Sequence, residues 1–178
     1  MFSEPAAWGQ LMDKLVTVQA DYLLKQVQAG ASALQVFDSW VGLALGKIDY
    51  LRFVQPYNTK LFKALQQAGV PVINFSTGTF PYLEEVSACG GDVIGVDWRM
   101  PLGDAWAKIG YERAIQGNLD PIALLAPWSE LQHQIDRVLK EARRRPGHIF
   151  NLGHGIPKST PVDVVHRLVD YVHEKSSL

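Results

Sequence analysis

His148-Ile149-Phe150-Asn151-Leu152-Gly153-His154-Gly155 places a histidine between two glycines just past an apolar run. An imidazole there can face a ligand while side-chain-free backbone lets that ligand come close. The alternative is a histidine satisfied by backbone in an ordinary loop. In Phe37-Asp38-Ser39-Trp40 the Ser39 hydroxyl suits a carboxylate, and Asp38 suits an amine or a polar neighbour; either residue could instead cap the following helix. Gly95-Val96-Asp97-Trp98-Arg99 offers an acid and a base, as an internal ion pair or as a substrate contact. Gln116-Gly117-Asn118-Leu119-Asp120-Pro121 reads first as a turn, because Asp120 before Pro121 is a good helix start. Ser76-Thr77-Gly78-Thr79 could cradle an anion on backbone N–H groups but carries no lysine.

These clusters share a position, each just after the C-terminal end of a strand-like run. The runs are Ala33–Phe37, Val70–Phe75, Asp92–Val96, the weaker Ala114–Gly117 and His148–Leu152. Helical patterns alternate with them. From Pro5 to about Gln28, Trp8, Leu11, Leu15, Val18 and Tyr22 recur at steps of three and four, the period of a helix with one buried face, and Gly30 ends it. Further helices are expected over Asp49–Gln67, Tyr82–Ala88, Gly103–Ile109 and Trp128–Arg144. In a final helix Thr160 serves as cap, Pro161 takes the first position and Asp163 favours the positive end.

Strands alternating with helices imply right-handed βαβ crossovers and a parallel sheet. The fold class expected is α/β, a (β/α) barrel of TIM type, whose catalytic rim lies at the C-terminal ends of the strands. A full barrel needs eight strands and about 250 residues. Five strands in 178 residues therefore make an incomplete barrel, the last five or so βα units of eight, in one partial domain over residues 1–178. An open doubly wound sheet is the other architecture, but the early βα turns carry no G-x-G-x-x-G fingerprint.

The composition narrows the field. With 47% hydrophobic and 20% charged residues, the chain has the makeup of a soluble protein with an ordinary core. A formal net charge of -1 attracts neither nucleic acid nor an anionic membrane, and Arg143-Arg144-Arg145 before Pro146 reads as a solvated helix end. The lone Cys89 supplies no internal disulfide and too few ligands for a cysteine-rich zinc site. A cytoplasmic location is expected, with no leader and no membrane span. Metalloprotease, serine-hydrolase and phosphate-loop motifs do not occur.

Four of the clusters, Gln35-Val36-Phe37-Asp38-Ser39-Trp40, Gly91-Asp92-Val93-Ile94-Gly95-Val96-Asp97-Trp98, Gln116-Gly117-Asn118-Leu119-Asp120-Pro121 and Phe150-Asn151-Leu152-Gly153-His154-Gly155, resemble the uroporphyrinogen decarboxylase family in the family's own order. The resemblance also takes in Asp49-Tyr50, Pro56-Tyr57, Thr160-Pro161 and Val172-His173, and it does not include the family's first half. It implies a (β/α)₈ barrel, usually a homodimer, that converts uroporphyrinogen III to coproporphyrinogen III by removing the four acetate carboxylates. It also implies no metal or organic cofactor, since a protonated pyrrole ring serves as the electron sink.

By the same resemblance Ser39 and His154 are substrate-binding. The family's central aspartate, its substrate-facing arginines and a pocket tyrosine fall in the half not matched, so Asp38, Asp97 and Arg99 are not assigned their roles. After Gly155-Ile156 the chain departs from the family, with Pro157-Lys158-Ser159-Thr160-Pro161 where many members carry Leu-Pro before Thr-Pro. The partners implied are a tetrapyrrole, uroporphyrinogen, and a second copy in a homo-oligomer. Two other readings stand beside this one. One is a corrinoid-dependent methyltransferase of the same barrel, disfavoured by the single cysteine. The other is a non-catalytic half-barrel that covers its open edges with a partner chain.

Overall fold

Helix α1 runs Pro5–Gln28 in the computed structural model, which describes residues 1–176. Proline in the first turn gives up an N–H that no helical carbonyl would have accepted. The helix keeps its expected bounds but not its expected buried face: Leu11, Leu15, Val18 and Tyr22 are 49%, 45%, 61% and 60% exposed. Instead Val16, Ala20, Leu23, Leu24 and Val27 enter the core, against Leu61, Phe62 and Leu65 among others. A 3.6-residue period locates an amphipathic stripe but does not say which neighbour covers it. Trp8 alone of the expected stripe is anchored, donating its indole N–H to the Phe53 carbonyl at 2.8 Å.

The described residues form two compact units, Met1–Ile94 and the residues from Gly95 on. In the first, β1 (Leu34–Asp38) is followed by α2 (Val41–Ala44), α3 (Lys47–Phe53), α4 (Gln55–Leu65), β2 (Val72–Ser76) and α5 (Leu83–Ala88). The helix expected over Asp49–Gln67 is broken at Val54 because Pro56, which cannot donate to a preceding carbonyl, sits in the first turn of α4. β1 and β2 pair in parallel, Leu34 opposite Val72 and Asp38 opposite Ser76. Strand β3 (Val93–Gly95) starts here, its entry fixed by Asp92, which donates its N–H to the Val72 carbonyl and accepts the Val72 N–H, both at 2.8 Å.

The second unit opens on the end of β3 and continues through α6 (Leu102–Ile109), β4 (Ala114–Leu119), α7 (Trp128–Ala142), β5 (His148–Leu152) and α8 (Val162–Ser176). Val96 donates to the Gln116 carbonyl at 2.9 Å. β4 and β5 pair in parallel, Ile115 opposite His148 and Leu119 opposite Leu152. Leu119, Leu124, Leu131, Ile135, Leu168 and Val172 fill the core. Strand β4 runs two residues past its expected end, to Leu119, and α7 stops two before its own.

Arg143 ends α7 in the left-handed conformation, and Arg143 and Arg144 are exposed, as a solvated helix end requires. The expected cap of α8 does not form: the helix begins at Val162, and the buried Thr160 hydroxyl has no hydrogen-bond partner among the described residues. Asp163 does lie in its first turn.

Hydrogen bonding orders the strands as they occur in the chain, β1-β2-β3-β4-β5. Parallel strands alternating with helical crossovers make an α/β fold of (β/α)-barrel type, with five strands where a closed barrel has eight. Among the described residues no helix is long and apolar enough to cross a membrane.

Candidate active site

Ser39 follows β1 in a turn that is clamped to the turn after β2. Thr77 donates its N–H to the Asp38 carbonyl at 3.4 Å and its hydroxyl to the Ser39 carbonyl, and Gly42 donates its N–H to the Thr77 carbonyl at 3.1 Å. A Cβ at Gly42 would fall on the Thr77 carbonyl and the Gly78 backbone, so glycine is required where the two turns meet. The Ser76 and Thr79 hydroxyls bond each other at 2.7 Å, and all three hydroxyls of this segment are buried. These hydroxyls are occupied by the fold, and of the backbone N–H groups considered for an anion that of Thr77 is taken up by the Asp38 carbonyl.

Asp38 turns its carboxylate to Asn58, whose amide donates to it at 3.3 Å, and accepts the Val41 N–H at the start of α2. The N-cap position of α2 falls on Trp40, so neither Asp38 nor Ser39 takes the capping position weighed above. Burial raises its carboxyl above the ordinary value, and the two hydrogen bonds oppose that rise. Asp38 and Asn58 line one side of a cleft of about 450 Å³, with Leu15, Gln19 and Tyr22 of α1 on the other.

Deeper in this unit Tyr50 and Tyr82 stack with ring centroids 4.9 Å apart. The Tyr50 hydroxyl and the Cys89 thiol are 3.4 Å apart, and the Tyr82 hydroxyl donates to the Leu45 carbonyl at 2.9 Å. Burial, then the Cys89 neighbour, pushes the Tyr50 phenol upward; burial, then the charge of Asp38, pushes Tyr82 up to about 12. Cys89 is a buried core thiol.

In the second unit the end of β3 carries Asp97, Trp98 and Arg99. Asp97 is buried, accepting the Arg99 backbone N–H at 2.9 Å and its guanidinium at 2.6 Å. The internal ion pair considered from sequence is therefore present. Asn118, in β4, fixes this turn by donating to the carbonyls of Asp97 at 2.8 Å and Met100 at 2.7 Å.

His154, past β5, is exposed, and its ring meets Trp98 edge to face with centroids 6.1 Å apart. Gly153 has a reason of its own: a Cβ there would lie 2.5 Å from the Trp98 nitrogen. Gly155 has open space around it. Asp120 caps as expected, accepting the Ile122 N–H at 2.9 Å ahead of the 3₁₀ turn Pro121–Leu125.

Ser39 thus belongs to the first unit and His154 to the second, each at a strand's C-terminal end and each able to donate a hydrogen bond to an anion. Sequence reasoning passed over Thr77 as the holder of Ser39, Asn118 as the holder of the β3 turn, and Trp98 as the ring that meets His154. A buried asparagine or threonine next to a strand end is the available signal, since its polar atoms must be satisfied locally.

The fold defines the chain as part of a barrel-type α/β protein with hydrogen-bond donors just past the C-terminal ends of its strands. A family model described as uroporphyrinogen decarboxylase (URO-D) matches residues 1–175. The chain belongs to the uroporphyrinogen decarboxylase family. It is 52% identical over 98% of its length to a uroporphyrinogen decarboxylase of Solibacter usitatus and 49% identical over 100% to one of Carboxydothermus hydrogenoformans, covering 50% and 51% of those proteins.

A Thermus thermophilus uroporphyrinogen decarboxylase is 49% identical over 98% of the chain. The chain spans about half the length of the curated relatives it matches. Among solved structures, a methyltransferase from Methanosarcina mazei aligns over 91% of this chain and 48% of its own, with a TM-score of 0.77 and 20% identity, a likeness of fold.

Proposed function

We propose that the protein at its full natural length decarboxylates uroporphyrinogen, and that residues 1–178 serve as one partial barrel domain contributing Ser39 and His154 to the substrate pocket. The observation that carries this is the identity of about one residue in two, along the whole chain, with proteins named uroporphyrinogen decarboxylase. Both side chains would donate hydrogen bonds to the substrate's carboxylate arms. The substrate itself would supply the electron sink: a ring carbon takes a proton, the C–CO₂ bond breaks with its electron pair passing into the ring to leave an exocyclic methylene, and a proton then adds to that methylene to make a methyl group while the ring carbon releases the proton it took and the pyrrole is restored. The protein's part is then to position the arms and to stabilise charge.

The proposal extends to a cytoplasmic protein and a homo-oligomer, as the family resemblance implies, and to no dealings with nucleic acid, which the near-neutral charge of -1 supports. The acid–base groups that the family resemblance places in the unmatched half are to come from polypeptide beyond the stretch described here.

The test compares Ser39→Ala and His154→Ala with wild type, at full natural length, by coproporphyrinogen formation. Loss of one charge-assisted hydrogen bond in either variant predicts a fall in kcat/KM of about 10- to 100-fold. Unchanged turnover in both would remove these residues from the pocket.

A further inference from the structure

Three side chains meet beside the end of β3. The Arg99 guanidinium lies over the Trp98 ring, with its carbon 4.2 Å from the centroid, and the His154 imidazole meets that ring at 6.1 Å with planes 82° apart. We propose that Trp98 is a positioning residue for His154, and the proposal rests on the substrate-binding reading of His154 above.

Each component of this cluster is fixed from beneath. Arg99 is tied to Asp97 through both its backbone N–H and its guanidinium, which holds the cation over the indole. The turn carrying Asp97, Trp98 and Arg99 is pinned by the Asn118 amide on the carbonyls of Asp97 and Met100. Gly153 brings the loop after β5 against the Trp98 backbone, in a space that a Cβ would fill, so the loop is set next to the ring before the His154 side chain begins.

His154 is exposed, and an imidazole on such a loop would otherwise lose rotamer freedom only on meeting its ligand. An indole against its edge restricts it beforehand. Trp98 itself is half-buried and its one polar side-chain group is the indole N–H, so a variant that keeps a ring and removes that N–H separates an effect through the orientation of His154 from a direct hydrogen bond to a carboxylate.

The experiment uses the protein at its full natural length with uroporphyrinogen as substrate, in Trp98→Leu, Trp98→Phe, His154→Ala and the Trp98→Leu/His154→Ala double variant. Trp98→Leu is expected to lower kcat/KM about tenfold, Trp98→Phe to restore most of it by keeping a ring, and the double variant to match His154→Ala within about twofold. A Trp98→Leu loss of equal size in both backgrounds would overturn the proposal, because Trp98 would then act independently of His154; so would unchanged turnover in Trp98→Leu.

A second readout separates this inference from the reading it rests on. The His154 ring-proton resonances should move in Trp98→Leu as the indole ring current is removed, and should change less in Trp98→Phe. If His154→Ala leaves turnover intact while those resonances move, the binding role of His154 falls and the contact stands. If the resonances do not move, the positioning proposal falls whatever the kinetics.

Discussion

The Thr77 hydroxyl donates to the backbone carbonyl of Ser39, so the turn after β2 holds the turn that carries a proposed substrate contact. Gly42 closes the same junction from the other side. Gly42→Ala should destabilise the protein by about 1–3 kcal/mol, since the new methyl meets backbone that cannot move aside as a side chain would. Thr77→Val, which keeps the shape and removes one hydrogen bond, should cost about 1 kcal/mol. Urea unfolding midpoints check both; a Gly42→Ala variant as stable as wild type would mean that the two turns are not in contact.

His148 gives a pH dependence with a definite sign. Burial lowers its imidazole below the ordinary 6.5, and the hydrogen bond from Nε2 to the Gly117 carbonyl partly offsets this. The unfolded chain then takes up a proton near pH 6.5 that the folded chain refuses. Stability from this group is complete above 6.5 and declines as pH falls from 6.5 toward the lowered folded value. His148→Phe should flatten the slope of stability against pH across that window, and an unchanged slope would place the dependence elsewhere.

Asp38 works in the opposite direction. Its folded-state carboxyl sits above the ordinary 3.8, chiefly through burial. The folded chain therefore holds the proton more tightly than the unfolded chain. That contribution is present below 3.8 and is lost as pH rises through the elevated value. Relative to wild type, Asp38→Asn should gain stability as pH is raised through that window, while its own acceptor oxygen can still receive the Asn58 amide. Denaturation at a series of pH values reads the sign directly.

The strand positions were legible in the sequence because buried parallel strands are short apolar runs, and the polar residues that end them, such as Asp38, Asp97 and His154, interrupt the pattern abruptly. The break between α3 and α4 was also written there, in Pro56, but the apolar spacing on either side outweighed it. Less of the site could be read. The bond from Thr77 to Ser39 joins residues far apart in sequence, and the Trp98–His154 contact needs two loops brought together; neither leaves a local spacing to detect. The cap expected of Thr160 failed because loop geometry decides whether a hydroxyl reaches a helix N-terminus.

The face of α1 was misassigned for a physical reason that can be tested. Leu15 and Val18 carry the helical period of a buried stripe and are exposed, in a chain that spans about half the length of its relatives. At full natural length Val18→Glu should cost more than the ~0.5 kcal/mol typical of a surface change, and about 1–3 kcal/mol if the stripe is covered there. A cost within surface range would show the stripe to be free.

The proposed function makes this chain part of a uroporphyrinogen decarboxylase. Its most direct test supplies the full-length protein with uroporphyrinogen III and follows carbon dioxide together with the carboxylate content of the tetrapyrrole. Stepwise loss of four carboxylates, ending at coproporphyrinogen, is expected. Recovery of the substrate with all its carboxylates, from protein shown to be folded, would contradict it.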